Sequence, residues 1–191
     1  MKRACSSAAR DDGFSLIEAV TAMFILVVGL LGLMQVFLLG MGHMSTSSSH
    51  LVAREKAREA IESVHTARDT HIVTWSQIRN GSAPASGVCP TGTTATGGGI
   101  FTNGEVEMRR AGADGLVNTS DDSSAGWETT PGPDNAWGTS DDQELRGFWR
   151  QIDICDVDGN ADLRQVLVTI RYTVGAIQRT YRLTTFISRF A

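Results

Sequence analysis

The sequence predicts an α+β protein, and three features carry that prediction. An apolar run over 19–42 is followed by a stretch, 51–68, in which apolar residues recur at helical spacing. The last third of the chain alternates apolar and polar residues in successive segments, the period of half-buried strands. Between them, over about 79–144, glycine, proline, serine and aspartate dominate, which is the composition of loops.

The run 19–42 contains no charged residue, and its polar side chains are only those of Thr21 and Gln35. As a helix it would reach about 36 Å, against a hydrocarbon core of about 30 Å, so it is long enough to cross a bilayer. Glu18 sits just before it. An ionised carboxylate there costs roughly a few kcal/mol unless it finds a partner. In 51–68, Val52, Ala57, Ala60, Ile61, Val64 and Ala67 form an apolar stripe. Arg54, Glu55, Arg58, Glu59 and Glu62 fill the other side, with Arg58 and Glu62 spaced to pair. The prediction is one helix from about 14 to about 69. The serine-rich 45–49 is its weak point, with a bend expected over 40–49.

A short strand is expected at 105–109. The main strands follow. Phe148, Ile152 and Ile154 alternate with polar neighbours, as do Val166, Val168, Ile170, Tyr172 and Val174. Ile177, Tyr181, Leu183 and Ile187 repeat the pattern after a turn at Gly175 and Ala176. An antiparallel meander results, with one face against the amphipathic half-helix. Arg171 and Arg182 fall on the opposite, solvated face. Asp156, Asp158, Gly159, Asn160 and Asp162 resemble the start of a calcium loop. They lack its distal glutamate, and flanking alternation makes them a hairpin turn.

The loop region contains a repeat at a spacing of twenty residues. Gly112-Ala-Asp114-Gly-Leu-Val-Asn118-Thr-Ser-Asp121-Asp122 matches Gly132-Pro-Asp134-Asn-Ala-Trp-Gly138-Thr-Ser-Asp141-Asp142. Clustered carboxylates on glycine-rich loops suit Ca²⁺, which takes six to eight oxygen ligands. Asp, Asn and Gly are also ordinary turn residues, so the same pattern fits two inert loops. The candidate ligands are Asp114, Asn118, Asp121, Asp122, Asp134, Asp141 and Asp142. Zinc is disfavoured, because His43, His50, His65 and His71 lack metal-site spacing.

Net charge is −4, and no basic tract offers nucleic acid an obvious site. Ser, His and Asp are present without a nucleophile elbow, a phosphate-cradling loop or a His/Cys cluster, so the expectation is a protein that is not an enzyme.

Gly13-Phe14-Ser15-Leu16-Ile17-Glu18 follows a short segment bearing Lys2, Arg3 and Arg10, and precedes the apolar run. This stretch resembles the processing and methylation signature of type IV pilins and type II secretion pseudopilins. Val28-Gly29-Leu30-Leu31-Gly32-Leu33 resembles the PilV-like minor pilins in particular. Gln35 stands where many major pilins carry proline, which points to a minor subunit. Asp11 and Asp12 depart from the basic residue usual before the cut.

The resemblance implies a pilin-like fold, a long helix whose membrane half protrudes and whose amphipathic half lies on a β-sheet. It implies a leader at 1–13 removed by a prepilin peptidase between Gly13 and Phe14, and N-methylation of Phe14. It implies an assembly half of the helix at 14–45, and a globular domain at 46–191 outside the cytoplasm. Glu18 would face the amino terminus of a neighbouring subunit. The partners implied are other pilin subunits, the inner-membrane assembly platform and the lipid bilayer. Removal of the leader takes Cys5 with it, leaving Cys89 and Cys155 in an oxidising compartment. That favours a Cys89–Cys155 disulfide over two separate thiols. A pseudopilin shares the cut site and Glu18, and a membrane-anchored, calcium-dependent binding module is the alternative of another class.

Overall fold

The computed structural model describes residues 15–124 and 126–190. The chain divides into two compact units, Met1–Met44 and Ser45–Ala191. A single helix, α1 (Leu16–Asp69), is assigned across both and continues through the serine-rich 45–49.

In the first unit, Leu16–Met41 has a mean hydropathy of 2.6, none of it is buried, and it is long and apolar enough to cross a membrane. The Thr21 hydroxyl lies 3.0 Å from the carbonyls of both Ile17 and Glu18, so a polar side chain in the apolar run is satisfied by its own helix.

The second unit is built on an antiparallel sheet. Its strands are β1 (Thr93–Ala95), β2 (Val106–Glu107), β5 (Phe148–Val157), β6 (Asn160–Val174) and β7 (Ile177–Ser188). β3 (Thr129–Thr130) and β4 (Gln143–Glu144) form a separate two-stranded sheet. The order in the main sheet is β1-β5-β6-β7, with β2 pairing the same edge of β5 further along. The meander is thus the predicted one. The β5–β6 connection is the two-residue turn Asp158–Gly159, with Gly159 at φ 76°, so this acidic segment is a hairpin.

The helix meets the sheet along Ala53, Ala57, Ala60, Val64 and Ala67, a spacing of four and three residues that keeps one stripe facing inward. Ile152, Ile154, Val166, Val168, Ile170, Tyr172 and Ile187 complete the core. Val52 and Ile61, expected in the stripe, lie at its margins, and Ile177 at the end of the meander is exposed. Arg58 and Glu62 do not pair; Lys56, on the buried side, takes Glu59 instead. Arg171 is not simply solvated, since it stacks 4.1 Å from the Trp149 ring and pairs with Glu105. The expected strand at 105–109 shortens to β2, with Arg109 bridging Trp127 beyond it.

Strands β1 and β2 leave a gap on the edge of β5, and one side chain fills it. Asn80 donates from Nδ2 to Ile152 O at 2.7 Å and accepts the Ile154 N–H at Oδ1 at 2.8 Å. A fully buried amide thereby substitutes for a missing stretch of strand.

At the far end of β5, Asp156 accepts hydrogen bonds from Arg164 Nε (2.7 Å), Arg79 Nη2 (2.7 Å) and Thr96 Oγ1 (2.6 Å). Burial pushes its carboxyl up, but the Thr96 hydroxyl and the two guanidiniums outweigh that and hold it below the ordinary carboxylate value. A lowered carboxylate stabilises fully above the ordinary range, and this contribution is lost as pH falls through the folded value. Asp156→Asn is expected to lower stability at neutral pH by about 1–3 kcal/mol and to leave a shallower acid limb. Denaturant midpoints measured from neutral pH down through the carboxylate range check this. An unchanged acid limb would remove Asp156 as its source.

Candidate functional site

The two copies of the repeat, 112–122 and 132–142, fold into similar loops. In the first copy, Asp114 Oδ1 accepts the Leu116 N–H at 2.8 Å, Asp121 Oδ2 accepts the Asp114 N–H at 3.2 Å and Asp122 Oδ2 accepts the Asn118 N–H at 2.6 Å. In the second, Asp134 accepts from Ala136 at 2.9 Å, Asp141 from Asp134 at 3.4 Å and Asp142 from Gly138 at 2.9 Å. Thr119 and Thr139 hydroxyls bond Asp121 and Asp141 at 2.7 and 2.6 Å. Those hydroxyls are the leading cause that holds both carboxyls below their ordinary value. The repeated glycine has a steric reason. A Cβ at Gly112 would lie 2.2 Å from Asp121 Oδ2, and one at Gly132 would lie 2.3 Å from Asp141 Oδ2.

The copies differ in what surrounds them. In the first, Leu116, Val117, Asn118, Thr119 and Asp122 are buried, and the Val117 N–H donates to Ser63 Oγ of α1 at 2.9 Å. In the second, residues 133–141 are exposed.

Asp114, Asp121 and Asp122 each bring a carboxylate oxygen to within 4.8 Å of the others, a group that could hold a metal ion. Its donors are all hard oxygens, which suit a cation such as Ca²⁺ or Mg²⁺ rather than a thiolate- or imidazole-seeking metal. Beside it, the Asn118 side-chain oxygen is buried with no hydrogen-bond partner among the described residues. Burial also pushes the Asp122 carboxyl up, against its backbone hydrogen bonds and the Arg150 charge, a penalty that a bound cation would offset. The residues present therefore fit such an ion.

A buried charge network ties this loop to the helix. Arg150, fully buried on β5, lies 3.8 Å from Asp122 Oδ2 and 3.2 Å from Glu128 Oε2. The other Glu128 oxygen meets Lys56 Nζ at 2.5 Å, and Lys56 reaches Glu59 at 2.8 Å. Sequence reasoning missed this network. Its signals were Arg150 interrupting the apolar face of Phe148, Ile152 and Ile154, and Lys56 lying on the buried side of α1.

Cys89 and Cys155 are joined in a disulfide, with Cα atoms 5.8 Å apart. Gly13 and Phe14 lie outside the described residues. Glu18 lies in the first turn of α1, exposed, with no hydrogen bond or ion pair from its carboxylate among the described residues.

No protein-family model, curated protein or solved structure matches the chain. A functional reading therefore rests on its own residues.

Proposed function

We propose that this chain is a PilV-like minor pilin, a non-enzymatic subunit of a type IV pilus. It enters the inner membrane through its apolar helix with the second unit outside the cytoplasm. Prepilin peptidase cuts it between Gly13 and Phe14 and methylates Phe14. It then joins the filament by helix bundling. The observation that carries the reading is the run of signature residues 13–18 leading directly into an apolar stretch whose nearest acid, Glu18, has no partner among the described residues. Two charges that are each costly in lipid offset one another when the Glu18 carboxylate meets a neighbouring subunit's amino terminus. The long helix and the antiparallel meander are compatible with this reading. A type II secretion pseudopilin is the close alternative, separated by which filament the chain copurifies with.

The test is the intact mass of the protein from cells with and without a prepilin peptidase. The expected result is peptidase-dependent loss of residues 1–13 and one added methyl group on Phe14. An uncut chain in both strains would sink the reading.

The acidic group supports a second, compatible reading, a calcium-binding module on a membrane anchor. Asp114, Asp121 and Asp122 would hold the ion, which would add fixed positive charge to the loop. Titration calorimetry of the full chain is expected to show uptake at or below millimolar Ca²⁺, abolished in Asp121→Asn/Asp122→Asn. No heat from the unaltered chain ends this reading.

A further inference from the structure

After Asp162 the chain carries no acid. From Leu163 onward it holds Arg164, Arg171, Arg179, Arg182 and Arg189, and neither aspartate nor glutamate. Three of these are matched: Arg164 pairs with Asp156, Arg171 with Glu105 and Arg189 with Asp162. Arg179 and Arg182 are exposed and make no ion pair among the described residues. Both lie on β7 just after the turn at Gly175 and Ala176, where Ile177 is 59% exposed. Two unmatched cations beside an apolar tip are what a segment resting on an anionic bilayer surface presents.

Packing within the second unit fixes which end this hairpin occupies. The His50 and Tyr181 rings meet edge-on with centroids 5.5 Å apart, and Arg68 Nη1 donates to Ser188 O at 3.2 Å. β7 therefore runs beside α1 in the same direction. Back from Tyr181 to Ile177 is about 13 Å of strand, and back from His50 to Ser45 is about 7.5 Å of helix. The turn thus reaches at least as far as the point where the unit begins. From Met41, the end of the apolar stretch, to Ser45 the chain spans at most about 14 Å. With Leu16–Met41 in a bilayer, chain length alone keeps this end of the unit near the headgroups, a layer of about 5–8 Å on each side.

The other charges at this end balance or lie elsewhere. On the exposed side of α1, Arg54 and Arg58 are offset by Glu55 and Glu62. Asp134, Asp141 and Asp142 belong to the loop of Trp137, whose ring lies 5.8 Å from the Lys56 ammonium. Lys56 and His50 point about 120° apart around the helix, so the aspartate loop and β7 flank different sides of it. An anionic surface therefore attracts the β7 side and repels the aspartate side.

We infer that the β6–β7 hairpin docks on anionic phospholipid at the surface of the membrane that α1 enters. Arg179 and Arg182 meet headgroup phosphates, and Ile177 enters the interfacial layer. The inference rests on the reading that Leu16–Met41 crosses a membrane. Docking also places lipid beside β7, the edge strand of the sheet, where it shields unpaired backbone from another chain.

The full chain in vesicles tests this, in equal parts of phosphatidylcholine and phosphatidylglycerol or in phosphatidylcholine alone. In a Cys5→Ser background, Gln178→Cys, Ala136→Cys, Ala161→Cys and Met34→Cys each carry a fluorescent dye; Ala161 lies at the opposite end of β6 from the turn. Headgroup nitroxides are expected to quench the dye at 178 more than at 136 or 161 in the anionic vesicles, and salt should relieve this. Arg179→Gln/Arg182→Gln should lower the ratio of docked to free hairpin about fivefold for each arginine, and Ile177→Ser should lower it independently. All three side chains are exposed, so these variants are expected to melt as the parent does. Acyl-chain nitroxides should quench the dye at 34. No quenching there ends the membrane-crossing reading and this inference with it. With 34 quenched, a dye at 178 quenched no more than at 161, or equally in both lipids, overturns the docking alone. Self-quenching at 178 that survives dilution in lipid would overturn it in favour of a second copy on the β7 edge.

Discussion

Glu128→Gln is expected to destabilise the second unit by about 3–5 kcal/mol, among the largest effects open to a single uncharging substitution in this chain. Glu128 stands between two buried cations, Lys56 at 2.5 Å and Arg150 at 3.2 Å. The amide keeps the shape and removes the charge. Lys56 retains Glu59, whose side chain is about half exposed and therefore a weaker partner. Arg150 retains Asp122 at 3.8 Å and the Arg109 carbonyl at 3.4 Å, while its Nε already has no hydrogen-bond partner among the described residues. The loss is the penalty of a stranded buried charge, and it is expected to be largely recovered when Lys56, Glu128 and Arg150 become apolar together, Asp122 keeping its backbone hydrogen bonds from Gly112 and Asn118. Lys56→Met/Glu128→Leu/Arg150→Met should thus be at least as stable as the parent minus about 1 kcal/mol. Denaturant midpoints for the single and triple variants decide it. A triple variant no better than Glu128→Gln would mean that the network is needed for packing rather than for charge balance.

Loss of the disulfide is the second large effect. Cys89 and Cys155 are 66 residues apart, and a closed loop of that length restricts the unfolded chain by about 4 kcal/mol. Cys155 lies on β5 opposite Ala95 of β1, so the bond fastens the loop before β1 to the centre of the sheet. Cys89→Ser/Cys155→Ala is expected to lower stability by about that amount. Hydrogen exchange should rise first around β1 while β6, paired on both sides, stays protected. Matching midpoints for the oxidised and reduced parent protein would show that the bond contributes nothing.

The elements that depend on near neighbours in the chain were legible as sequence. The apolar run, the helical stripe and the three alternating segments are each periodic, and burial of one face follows from period alone. The Asp158–Gly159 turn follows from the left-handed conformation that a tight hairpin asks of glycine. The aspartate repeat was legible as a repeat, and the hydrogen bonds that the two copies share follow from the aspartates and threonine that they share.

What the repeat meets was decided by tertiary structure alone. Nothing within residues 112–122 or 132–142 says that Val117 docks on Ser63 while Trp137 stays exposed. That difference comes from where β2, β3 and β4 hold each loop against α1. Asn80 reads as a loop asparagine until two short strands leave it a gap on β5. Lys56 and Arg150 fall on the apolar sides of their elements, but only the fold brings Glu128, far from both in sequence, between them. A side chain's own pattern determines which face it takes, whereas its electrostatic partner is chosen by the fold, because charges pair across space and not along the chain.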